Sequence, residues 1–179
     1  IALFYILLTV IVPFINTPLQ IIEAANNVDT MSKMQINAGG DESITGDVIN
    51  EWYASTTRKN GKLAGMGHQI VQTADKYGIN RGFFVALMDM ETTSGLNPCF
   101  GSEYNFGCIR GSKPSSAEDG LEAQGKLMKR YAEGTISVVP KNPTIQEFID
   151  TYSPSNENDH NKLLTHYHTV LGYLGVDAE

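Results

Sequence analysis

Glu91 is the residue whose type and position most plainly offer chemistry. Phe84, Leu87, Met88 and Glu91 fall at i, i+3, i+4 and i+7, which places the carboxyl on the apolar stripe of a helix. Gly95 follows as a natural stop, so Glu91 lies in the last turn. Burial disfavours a charged carboxylate, and the negative end of a helix dipole acts in the same sense. A carboxylic acid that keeps its proton near neutral pH can protonate a leaving oxygen. Glycosidic bonds require such a proton, because an alkoxide leaves poorly. The plain alternative is a surface glutamate at a frayed helix end, or one that caps a nearby amide. Asp89, two residues away, is expected on another face, in water.

Other reactive residue types give less. Cys99 and Cys108 can close a short loop as a disulfide, which would contribute about 2–3 kcal/mol in the loop-entropy account. Such a bridge needs an oxidising compartment; two free thiols are the alternative. Neither cysteine belongs to a CxxC pair, and no zinc pattern accompanies them. His166 and His168 are two apart, on different faces of one helix, and do not readily share a metal. His68 and His160 have no partner in sequence. No Ser/His/Asp set or Cys/His nucleophile is supported, and the chemistry at Glu91 needs no cofactor and no metal.

The elements that must hold Glu91 are helical. Leu63, Met66, Ile70, Val71, Ala74 and Tyr77 recur at three- and four-residue steps, and Gly78 suits a left-handed C-cap. Asn80 can cap the helix that carries Glu91. Capping boxes open two more helices, at Ser115-Ser116-Ala117-Glu118 and at Thr144-Ile145-Gln146-Glu147. The first continues through Leu121, Met128 and Tyr131; the second carries Ile145, Phe148, Ile149 and Tyr152 on one face. A last helix runs from near Asp159 to Leu174, with Leu163, Tyr167, Val170, Leu171 and Leu174 inward, and stops at Gly175. Between Leu96 and Pro114 the pattern breaks into a Gly-rich irregular loop with room for a short hairpin. Long irregular loops in small domains often carry function.

With 20 acidic against 13 basic residues the formal net charge is −7, and no basic run is present, which disfavours a nucleic-acid partner. Ile1 to Ile22 carry no formal charge. The apolar part is short and is interrupted by Pro13 and Pro18, which suits a signal or anchor segment. A buried helix of the globular domain and a segment that penetrates a target membrane are the alternatives. Either membrane reading puts the remainder outside the cytoplasm. Residues 23–46 read as a polar linker, and residues 47–179 as one domain.

Three stretches in order carry a resemblance. They are Phe84-Val-Ala-Leu-Met-Asp-Met-Glu91-Thr92-Thr93-Ser94-Gly95, then Tyr104-Asn105-Phe106-Gly107-Cys108-Ile109-Arg110-Gly111, then Ser116-Ala117-Glu118-Asp119-Gly120-Leu121. This resembles the bacterial glucosaminidases, the flagellar and autolysin-type N-acetylglucosaminidases of the lysozyme-like superfamily, over roughly residues 62–176. The resemblance implies a mainly α, lysozyme-like domain and a peptidoglycan hydrolase that cuts the GlcNAc–MurNAc glycan strand. Glu91 would be the catalytic acid. Asn105, Phe106 and Gly107 would line the sugar groove, Asn105 on an N-acetyl group or hydroxyl. Phe106 would lie against a sugar face or plug the core. Tyr152, in Tyr152-Ser153-Pro154, would line the site or be one more core aromatic. No second carboxylate is fixed by the motif; Glu103 is a candidate because it lies in the loop, and the substrate's acetamido group can replace a protein nucleophile. Cys99 and Cys108 depart from the family pattern.

The implied partner is peptidoglycan, with the membrane as a second partner through Ile1 to Ile22 where that segment is retained. The implied location is extracytoplasmic: anchored, secreted to the wall, or on a virion. Two other readings stay open: a lytic transglycosylase, and a non-catalytic part of a wall-penetrating machine such as a phage tail.

Overall fold

The computed structural model describes residues 35–37, 42–136, 140–152 and 157–175. Six α-helices make up the described fold: α1 (Gly46–Ser55), α2 (Gly67–Tyr77), α3 (Arg81–Thr92), α4 (Ala117–Ala132), α5 (Ile145–Tyr152) and α6 (Glu157–Tyr173). A 3-10 turn, Thr57–Asn60, follows α1. Among the described residues there is no sheet, so the mainly α expectation holds. The hairpin expected in the long loop reduces to a single antiparallel bridge between Cys99 and Ser102.

Helix α3 lies at the centre. Phe83 to Met88 are all fully buried, and a helix apolar on every side belongs inside a core. The stripe read from the sequence was therefore one face of a helix buried all round. The most extensive packing of α3 is against α6. Gly82 permits that approach: a Cβ there would come within 2.4 Å of the Leu171 side chain. Phe83 meets Phe148 and Tyr167 edge-on, at centroid distances of 5.3 and 5.9 Å, which joins α3 to α5 and α6.

The helix ends follow their local chemistry. The Asn80 side chain accepts from the Phe83 amide at 2.9 Å and starts α3. Thr144 and Glu147 form a reciprocal capping box at the start of α5: the Thr144 hydroxyl accepts from the Glu147 amide at 3.1 Å, and the Glu147 carboxylate accepts from the Thr144 amide at 2.8 Å. The box expected from Ser115 to Glu118 shifts by one residue: Ser116 caps α4, its hydroxyl accepting from the Asp119 amide at 3.2 Å. Helix α2 begins at Gly67, so Leu63 reaches the core from the preceding turn rather than from the helix.

Part of the stretch read as linker joins the core. Ile36 and Ile44 are buried in the core, and Gln35 bridges Thr144. Helix α1 is capped by Thr45, whose hydroxyl accepts from the Val48 amide at 3.3 Å. The hydrophobic segment 1–22 and the inward placement expected for Leu163 lie outside the described residues. No helix among the described residues is long and apolar enough to cross a membrane.

Candidate active site

Glu91 leaves the last turn of α3 into a cleft of about 470 Å³. Met90, Gly107, Cys108, Ile109, Arg110, Leu127, Tyr131 and Tyr152 line it with Glu91. Loop 96–114 forms one wall, and α4 and α5 form the other. Glu91 is half-buried, and burial raises its pKa above the ordinary carboxyl range; a hydrogen bond with Tyr152 acts in the opposite sense and is outweighed. Among the described residues, Glu91 is the only carboxylate that lines this cleft.

Tyr152 fills both roles that the sequence left open. Its ring stacks on Phe148 at 5.0 Å and tilts against Tyr131 at 6.1 Å, as a core aromatic would. Its hydroxyl donates to the Gly107 carbonyl at 3.0 Å and interacts with the Glu91 carboxyl. Burial first, then the Glu91 charge, push the phenol pKa well upward, so Tyr152 stays neutral. Gly107 has no room for a side chain, because a Cβ would fall 1.6 Å from the Gln124 carboxamide oxygen. Gln124 is fully buried, and its amide makes no hydrogen bond among the described residues.

Three of the sequence-derived site residues lie elsewhere. Asn105 is 2% exposed and clamps the loop instead of facing the cleft. Its amide group donates to the Ile109 carbonyl at 2.9 Å, and its carbonyl accepts from the Ile109 amide at 2.8 Å. Phe106 is buried against Gly95 and Gly120, so it is the core plug and not a sugar platform. Glu103 is exposed, pairs with Lys62 at 3.0 Å and does not line the cleft. Placing a carboxylate in a loop by sequence says nothing about which way the turn aims it.

The disulfide between Cys99 and Cys108 is formed, with Cα atoms 5.3 Å apart. The Cys108 sulfur lies 3.7 Å from the Glu91 carbonyl oxygen, so the bridge pins the loop against the end of α3. Replacing both cysteines by serine is expected to lower unfolding free energy by about 2–3 kcal/mol. Activity is expected to fall further than stability, because Cys108 is part of the wall; equal turnover of the two proteins under native conditions would contradict this.

Asp89 is the largest departure from expectation. It is 2% exposed rather than solvated, on the side of α3 facing α6 and the 3-10 turn. Arg58 holds both carboxylate oxygens at 2.5 Å, His166 bonds one at 2.8 Å, and the Ser94 hydroxyl donates to the other at 2.8 Å. Burial alone would raise its pKa, but these bonds outweigh burial and hold it down at about 2. The network secures a strained turn: Thr93, Ser94 and Gly95 all have positive φ, at 51°, 54° and 80°. Thus an anchor two residues before Glu91 fixes the turn that ends the helix. Residues 31 and 77 positions from Asp89 complete it, which no local pattern reveals.

Fold and site together define a mainly helical domain with one carboxylate, Glu91, among the described residues of a loop-walled cleft. No protein-family model matches the chain, and no curated protein matches it in sequence.

Proposed function

We propose that the chain is a cell-wall glycoside hydrolase that cuts the GlcNAc–MurNAc strand, with Glu91 as general acid. The observation that carries this is a half-buried carboxyl with a raised pKa in an open cleft beside a neutral tyrosine. A neutral Glu91 protonates the bridging oxygen as the C1–O bond breaks. With no second carboxylate among the described residues that line the cleft, the acetamido oxygen of the sugar is the nucleophile: it attacks C1 and closes an oxazolinium ring. Water then opens that ring, giving up a proton to Glu91, and the configuration at C1 is retained. The extracytoplasmic setting fits the disulfide, which forms in oxidising compartments. The resemblance to bacterial glucosaminidases supports the same substrate.

Tyr152 serves both protonation states of the acid. While its one proton is given to the Gly107 carbonyl, its oxygen can accept from neutral Glu91. Once Glu91 has given up its proton, the phenol can turn and donate to the new carboxylate. Tyr152→Phe removes the bond that favours the ionised acid, so the alkaline limb of the pH–rate profile is expected to move to higher pH. The turnover number is expected to fall about 10²-fold, at the lower end of acid–base contributions. An unmoved limb in a turbidity assay would separate Tyr152 from the acid.

The direct test is clearing of purified peptidoglycan by the full chain. Clearing with new reducing ends is expected; intact glycan at every pH assayed would overturn the proposal.

A further inference from the structure

We propose that Arg110 reads a carboxylate on the saccharide, so that the cleft selects acidic amino-sugar strands over neutral ones. This rests on reading the cleft as a glycosidase site. Arg110 is exposed and lines the same cleft as Glu91, yet it forms no hydrogen bond or ion pair among the described residues. Arg110 is the one cation among the described residues that line the cleft, whereas Arg58, Lys62 and Lys76 lie outside it, paired with Asp89, Glu103 and Glu122. A chain of net charge −7 repels an anionic strand over most of its surface, so a local cation is what admits one.

The loop is built to fix the backbone that carries this side chain. Both backbone groups of Ile109 are gripped by the Asn105 amide, and the Ser112 amide closes the turn on the Ile109 carbonyl at 3.1 Å. Cys108, two residues before Arg110, is tied by the disulfide. Gly111, at a φ of 79°, reverses the chain just after it. A guanidinium carried on a fixed backbone is kept at the cleft, and it offers paired donors that match a carboxylate. Glu91 and Arg110 are not paired with each other, so a sugar can lie between the acid that cuts it and the cation that holds its substituent.

The test measures binding on a Glu91→Gln background, by calorimetry with the full chain. Four glycans serve as probes: intact peptide-bearing strands, peptide-stripped strands with free lactyl carboxylates, the stripped strands with those carboxylates amidated, and neutral N-acetylglucosamine oligomers. Adding Arg110→Gln is expected to weaken binding of carboxylate-bearing strands about 10- to 100-fold and bring it level with the amidated form. Arg110→Lys should retain part of the preference. A preference on stripped strands assigns the lactyl carboxylate; one seen on intact strands alone assigns the stem peptide. Equal weakening on charged and amidated strands, or none, overturns the proposal. If the wild-type chain cuts none of these glycans, the glycosidase reading fails, while the binding preference still decides Arg110.

Discussion

Glu91→Gln is expected to lower the rate of glycan cleavage by about 10²–10⁴-fold, the range that a positioned general acid contributes. The substitution keeps shape and hydrogen-bonding capacity but supplies no acidic proton. Its effect on stability should run the other way. A carboxyl whose folded pKa is raised favours the fold only while protonated; that contribution is lost as pH rises through the folded pKa. Above that pH the ionised wild type carries a desolvation cost that glutamine lacks. The variant is therefore expected to match the wild type at low pH and to exceed it at high pH in thermal melts. Inactivity with undiminished stability is the signature of a residue kept for chemistry. A variant that loses both would mark Glu91 as structural.

Asp89→Asn should do the reverse and cost mainly stability. Arg58 would keep its half-buried position without a counter-charge, and such a broken pair costs about 3 kcal/mol at a partly exposed site. The pH dependence gives a second check. The folded carboxyl titrates near 2 against an ordinary value of 3.8, so ionised Asp89 contributes about 2 kcal/mol. Because the shift is downward, that contribution is complete above the unfolded value. It begins to fade as pH drops below about 4 and is gone below about 2. Trp52, the single tryptophan, lies under the Arg58 guanidinium at 4.5 Å and reports on this network directly. Urea unfolding followed by its fluorescence should show the gap between the two proteins closing in that acid window. A gap that is absent, or that persists unchanged below pH 2, would contradict the assignment.

The contrast between Glu91 and Asp89 shows how far the sequence could be read. Both carboxylates sit on one apolar helix, and a period of 3.6 places only one on the stripe. That logic assumes a helix with a wet side. Helix α3 has none until its last turn, so Asp89 also had to be buried, and its partners come from the 3-10 turn and α6. Several caps and glycine stops were legible because they act within three or four residues: Asn80, Gly78 and the Thr144–Glu147 box are as the pattern predicts, whereas Ser116 caps α4 in place of Ser115 and Thr93 ends α3 in place of Gly95. The disulfide was legible as one of two options, because nine residues of separation permit it without requiring it.

The loop was legible as a unit but not by residue. Its motif placed Gly107 in the cleft wall, yet the same motif offered Asn105 and Phe106 as sugar contacts. In the fold these two hold the loop together, so that Gly107, Ile109 and Arg110 can face the cleft. A short motif records which residues a loop needs, without saying which of them face inward. Arg110 could have been singled out as the one cation between Leu96 and Ser112, a stretch that otherwise offers only Glu103 as a charge.

Digestion of purified peptidoglycan by the full chain, followed by mass spectrometry of the released fragments, tests the central claim most directly. Protonation by Glu91 with water as the final acceptor predicts fragments ending in a reducing N-acetylglucosamine, each heavier by one water than the linkage it came from, and absent from a Glu91→Gln digest. Anhydro-muramyl ends, or the same fragments from both proteins, would contradict it.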